Sequence, residues 1–206
     1  MKKKGLKKKV FVTAALIAIL AIIAGGTNAY FSQDARARNV ITMGSIAIEL
    51  HEDRIDPETG EVVPYETETP VEVMPGAEVS KIVTVENTGK APAWIRISVT
   101  KRIELAEGKT PGEGEPDTDL ITLDIGDSWT EQDGWYYYDQ ALEAEETTDP
   151  LFNTASFAGD MSNLYQGSTA YIDVLVQAVQ TSGNGSSALD AAGWPAEAET
   201  ETENNG

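Results

Sequence analysis

Cysteine is absent from this chain, and histidine occurs once, at position 51. Without thiols there is no disulfide framework, so stability must come from core packing, metal binding or assembly. A catalytic zinc site usually takes three protein ligands, often with two histidines on one helix as HExxH. His51-Glu52-Asp53 is the only histidine context, so zinc proteolysis is not expected and His51 reads as an exposed side chain at a strand end. Neither a Ser-His-acid signature nor a phosphate-cradling glycine loop is present. No repeat of 20 to 50 residues is visible, which argues against a solenoid or propeller. Basic charge is scarce as well. Six of the 15 Lys and Arg residues fall within the first nine positions, leaving nine against 34 Asp and Glu, a net charge of −25 beyond residue 29. Phosphates would be repelled, which argues against a nucleic-acid partner. Such a surface favours solubility and attracts cations.

Long apolar runs are also missing. The longest, Val10–Ala24, is broken only by Thr13. Its fifteen residues suit the core of a secretory signal and fall short of the roughly 20 that span a bilayer. Lys2, Lys3, Lys4, Lys7, Lys8 and Lys9 precede it, and Gly25-Gly26 breaks the helix after it. Thr27-Asn28-Ala29 offers a small residue at its end, so cleavage is expected between Ala29 and Tyr30. The 177 residues from Tyr30 onward suffice for one domain with a real core. The alternative is an uncleaved anchor extended through Gly25 and Gly26, the one route to the membrane.

The rest of the chain reads as strands. Ile46, Ile48 and Leu50 alternate with Ala47, Glu49 and His51 in a half-buried strand over Gly44–Glu52. Asp53–Pro75 holds four prolines and reads as loop and short edge structure, with Gly60 closing a turn. Val79–Glu86 and Trp94–Ile103 are strands joined by Asn87-Thr88-Gly89-Lys90, with Lys101 interrupting the inward set and predicting a bulge. Glu104–Asp119 is a long polar loop. Leu120–Ile125, the aromatic run Trp135–Tyr138 and Leu151–Ala158 are further strands. Ser168–Gln180 is the longest, and because both its faces are apolar it is expected in the centre of a sheet. Residues 182–194 read as a flexible link and a short helix capped by Ser187, with Trp194 docking on the body. Residues 195–206 form an acidic tail, expected to be disordered. The prediction is an all-β chain: an N-terminal signal helix at 1–29, an arm at 30–43, and an antiparallel β-sandwich over 44–181 with jelly-roll-like wiring.

Several stretches carry a family resemblance. Gly25, Gly26, Thr27 and Ala29, then Tyr30 and Phe31, then Gly44, resemble the signal and mature start of the TasA/camelysin family, whose members are exported through a SipW-type signal peptidase. Met74-Pro75-Gly76 before a strand ending Val85-Glu86-Asn87-Thr88-Gly89 resembles that family's PG…NTG segment. The runs 135–152 and 178–194 resemble exported relatives with the same signal. The resemblance implies a secreted jelly-roll subunit of a biofilm-matrix fibre or cell-surface layer, self-associating through its N-terminal arm, and the missing site signatures add the expectation of no enzymatic activity and no cofactor. In fibre-forming members the arm of one subunit completes the sheet of the next. Phe31, Gln33, Ala35, Ala37, Asn39, Ile41 and Met43 share one face after Tyr30, with Arg36 and Arg38 opposite, the alternation a donor strand needs. The same alternation suits a first strand of the arm's own subunit.

Other chemistries compete. Camelysin-like members have been grouped as metallopeptidases. Asp117, Asp119, Asp124 and Asp127 could supply oxygen ligands to calcium, but without EF-hand spacing a solvated acidic loop is the simpler reading. Trp135, Tyr136, Tyr137 and Tyr138 could stack on sugars in a surface carbohydrate-binding module, although alternation places at most two on each face. N-terminal sequencing of secreted protein should begin at Tyr30; a chain starting at Met1 would instead define an anchor.

Overall fold

A computed structural model describes residues 46–65, 75–110 and 116–195. The signal at 1–29, the arm at 30–43 and the tail beyond Pro195 lie outside the described residues. Ten strands follow in chain order: β1 (Ile48–Ile55), β2 (Val62–Pro64), β3 (Glu78–Ser80), β4 (Ile82–Asn87), β5 (Ala93–Glu104), β6 (Ile121–Leu123), β7 (Trp129–Gln132), β8 (Trp135–Tyr138), β9 (Thr154–Phe157) and β10 (Thr169–Gln180). A single 3-10 turn, Thr118–Leu120, leads into β6. Every pairing among them is antiparallel.

One layer has the order β10-β5-β8-β7. The other joins two short sheets, β2-β1-β4 and β3-β9-β6. What unites these two is the chain from Glu145 to Phe157. It runs beside β4 through Thr148 N to Val85 O, Leu151 N to Val83 O and Val83 N to Phe152 O, and then beside β3 as β9. The chain passes between layers from β4 to β5, from β5 to β6, from β6 to β7, from β8 to β9 and from β9 to β10. This is an antiparallel β-sandwich with the jelly-roll-like wiring expected.

Period-2 alternation builds the core. Ile46 and Ile48 with Val83 and Val85 face Ile95, Ile97, Val174 and Val176 across the layers, and Leu151 and Phe152 fill the gap between them. Burying each such side chain fully is worth roughly 1.5–3 kcal/mol. A second cluster closes one end of the sandwich, with Ile103, Ile121, Phe157, Met161 and Tyr165. Between β7 and β8 a two-residue turn, Asp133-Gly134, has positive φ at both positions, which matches the right-handed twist of a tight hairpin. At the β1–β2 tip, Asp56 Oδ1 accepts the Glu58 and Thr59 amides and Gly60 takes φ +74°, closing the expected turn.

Several expectations are corrected. The first strand continues past Glu52 to Ile55, because Asp53, Arg54 and Ile55 pair with β2. The strand expected over Val79–Glu86 is two strands that differ in partners. They part at Lys81, which is buried, donates Nζ to Glu52 Oε1 and stands 4.5 Å from the centre of the Tyr65 ring. Burial, and secondarily Glu52, push the Tyr65 phenol above its ordinary value, with Arg54 opposing. Lys101 produces no bulge: β5 runs unbroken, and the Lys101 ammonium reaches across to donate to Ile121 O at 2.8 Å. Among the described residues the strand β10 lies at the edge of its sheet, next to β5, not in the centre. Its second apolar face is covered by the C-terminal segment instead. That segment contains one turn at 188–190 in place of a helix, and it is pinned, not a loose link. Asn184 donates to Gln180 O and Ala192 O and accepts the Ala192 amide, which folds the backbone back on itself before a helix can propagate.

Asn87 is the most constrained polar group. It is fully buried at the end of β4, where the chain leaves one layer for the other. Its Nδ2 donates to Ala91 O and to Leu142 O, and its Oδ1 accepts the Gly89 amide. Its backbone pairs with Glu145 and Glu146. Asn87→Ala should lower stability by roughly 1–3 kcal/mol, because the buried Leu142 carbonyl and the half-buried Ala91 carbonyl lose their donor. Urea unfolding followed by circular dichroism measures this; an unchanged midpoint would show that water replaces the amide.

Candidate functional site

Three features of the sandwich bear on function: the outer edge of β10, an arginine-centred aromatic cluster, and the outer face of β1 and β4.

The strand β10 spans 12 residues without proline or glycine and is paired along its whole length on one side, from Thr169–Glu104 to Gln180–Ala93. Among the described residues no strand pairs with its other side. Its inward residues Ala170 and Ile172 are half-buried, while Val174, Val176 and Ala178 are buried. Asp173 is exposed, and Tyr171 lies under the Arg102 guanidinium at 4.0 Å and bonds Glu104 Oε2. A long regular edge presents backbone donors and acceptors to any extended segment that reaches it.

On the outer face of the β5 layer, Arg96 stands 3.9 Å from the Trp135 ring centre and 4.6 Å from that of Trp194. Its Nε and Nη2 both donate to Gln177 Oε1, at 3.0 and 2.7 Å, and Nη1 reaches the Tyr137 hydroxyl at 3.3 Å. The Trp94 indole donates to Asn184 O at 2.8 Å. Trp94, Trp135, Tyr137, Val179 and Ala188 form one buried cluster, with Trp194 packed on it. Trp194 therefore docks as expected. Tyr136 and Tyr138 belong to the opposite side, packed with the main core. Burial, with Glu131 adding to it, raises the Tyr136 phenol above its ordinary value. Two rings on each face is what alternation requires, and all four are buried or half-buried, so the run makes cores rather than an open sugar-stacking platform.

The third feature was missed by reasoning along the chain. His51 lies within β1, not at its end, and it is only about a third exposed. Its Nε2 is 3.0 Å from Glu86 Oε2 on β4. Glu49, two residues before His51 on the same face, is directly opposite Glu86 in the ladder. Donor atoms of Glu49, His51 and Glu86 all lie within 4.8 Å of one another, and no other such group of three occurs among the described residues. The aspartates weighed for calcium do not converge. Asp117 caps the Asp119 amide, and Asp124 Oδ1 accepts the Asn153 and Thr154 amides, tying β6 to β9. The cluster was illegible because Glu86 belongs to a strand 35 positions from His51, and only the register brings them together.

The cleavage and arm residues Ala29, Tyr30, Phe31, Ala35, Ala37, Ile41 and Met43 lie outside the described residues. Comparison with protein-family models, curated proteins and solved structures finds no match.

Stacking between two indoles depends on the flat guanidinium, so Arg96→Lys should cost roughly 1–2 kcal/mol despite keeping the charge. Trp194→Ala should cost a similar amount, and the double variant less than the sum, since both remove one contact. Thermal unfolding of the three variants tests this; strict additivity would separate the two residues.

Proposed function

We propose that this chain is a secreted, non-catalytic structural subunit of an extracellular fibre or cell-surface layer, assembling when the arm at 30–43 of one copy adds as a strand to the sandwich of the next. The observation that carries the reading is the outer edge of β10, twelve residues long and without a strand partner among the described residues. A fourteen-residue arm matches that edge in length. Its alternating apolar face suits the half-buried inner positions beside Ala170 and Ile172, and Arg36 and Arg38 suit an acidic body. The signal resembles those processed by SipW-type peptidases and the mature start those of the TasA/camelysin family, which supports export and matrix assembly. A camelysin-like peptidase is the lesser reading: all three groups of the Glu49–His51–Glu86 cluster point together as ligands, leaving no fourth acid in the group to act as base. A carbohydrate-binding module lacks support from the aromatic run, whose rings are covered.

Deleting Tyr30–Arg38 from the processed protein should leave a folded monomer that forms no fibres on concentration, as seen by electron microscopy and sedimentation. A peptide of residues 30–43 added in excess should also cap growth of the intact protein. Fibres that persist after the deletion would remove the arm from the mechanism.

A further inference from the structure

We propose that Glu49, His51 and Glu86 form a binding site for a divalent transition-metal ion of the zinc class on the outer face of the β1–β4 ladder. The inference is independent of the assembly reading. Two observations carry it, one of geometry and one of charge.

The geometry follows from strand pairing. Residues i and i+2 of a strand share a face, which puts Glu49 and His51 side by side on β1. The antiparallel register sets Glu86 across from Glu49 and Thr84 across from His51, so Glu86 faces Glu49 directly and reaches His51 along the diagonal. The three donor atoms lie within 4.8 Å of one another, with His51 Nε2 and Glu86 Oε2 at 3.0 Å. Bond lengths of 2.0–2.2 Å to nitrogen and oxygen place the ligands of a tetrahedral zinc roughly 3.4 Å apart. The closest pair is thus near that spacing already, and the Glu49 side chain, exposed and flexible, needs only a small rotation to complete the triangle. The ion takes the place of the proton that now joins His51 Nε2 to Glu86; that proton leaves to solvent or moves to Nδ1. Water fills the fourth position.

The charge is unbalanced without an ion. Like charges directly across a ladder destabilise it. Glu49 and Glu86 are such a pair; Glu86 is about a third exposed and has His51 beside it, and among the described residues no Lys or Arg is ion-paired with either. The more deeply covered Glu52, by contrast, is compensated by Lys81. A divalent cation would neutralise the pair and bind β1 to β4. One imidazole with two carboxylates favours zinc, or copper and nickel, over calcium, which takes six to eight oxygens.

Isothermal titration of the processed full-length protein with zinc chloride tests the site. One saturable site is expected, with calcium at equal concentration failing to compete. Zinc at a hundredfold above its dissociation constant should raise the melting temperature by roughly 5–10 °C. His51→Ala and Glu86→Gln should each weaken binding at least tenfold. Glu49→Gln removes no hydrogen bond of the metal-free protein, so it should weaken binding while leaving the metal-free melting temperature unchanged or raised. Absence of binding, or weak multi-site binding equal in the parent and all three variants, would overturn the proposal and assign the effect to the acidic surface at large.

Discussion

Two connections that cross between the layers meet at one buried amide. Asn87 ends β4 at the point where the chain turns toward β5, and the return connection after β8 passes the same point through Leu142, Glu145 and Glu146. A buried amide in an apolar interior must be satisfied, and this one spends both its protons and its oxygen on backbone groups of the two connections. The consequence is geometric. If Asn87 holds those carbonyls, β4 and the strand-like run from Glu145 must lie side by side, and Ala93 must exchange both backbone bonds with Leu142. The spacing of the layers follows, because Ile95 and Ile97 on one side and Val83 and Val85 on the other are placed by those two pairings. Leu151 and Phe152 then fall between the layers and are fully buried there.

The charged residues inside the sandwich have a similar logic. Lys81 and Lys101 are set among apolar neighbours at inward positions, yet each ends on a specific acceptor, Lys81 on the neighbouring strand β1 and Lys101 in the opposite layer. Removing a lysine from water is unfavourable unless its ammonium is paired. The long apolar stem lies along the core and the head marks one register. Lys81 locates the switch from β3 to β4, and Lys101 fastens β5 to β6 across the layer gap. Arg96 does the equivalent outside, holding the C-terminal segment through two indoles and Gln177.

Much of this is legible along the chain, and what is not has a physical reason. Alternation at Ile95, Ile97 and Val99, or at Val174, Val176 and Ala178, reports which face is buried, so the strands and the sandwich could be read directly. Asn87-Thr88-Gly89 announces a turn, although neither Asn87 nor Gly89 takes a positive φ in it. Alternation does not report which strand lies beside which. The two apolar faces of β10 signalled burial on both sides, and burial is correct, but the cover is a coil carrying Trp194 instead of flanking strands. Lys101 looked like an interruption because its acceptor, Ile121 O, belongs to another layer. His51 looked bland because its partner Glu86 is specified by register and not by spacing.

The ladder between β5 and β10 also sets the order in which the fold can form. Arg96 and Gln177, bonded across it, are 81 positions apart, and most of the domain lies between them. Closing such a loop precedes any gain from the pairing, so the sandwich belongs to the slow, topology-limited folders. In a chain that emerges N-terminus first, β5 waits with one edge bare until Gln180 has followed. For that interval, the backbone groups that β10 will later occupy are open to any extended segment within reach.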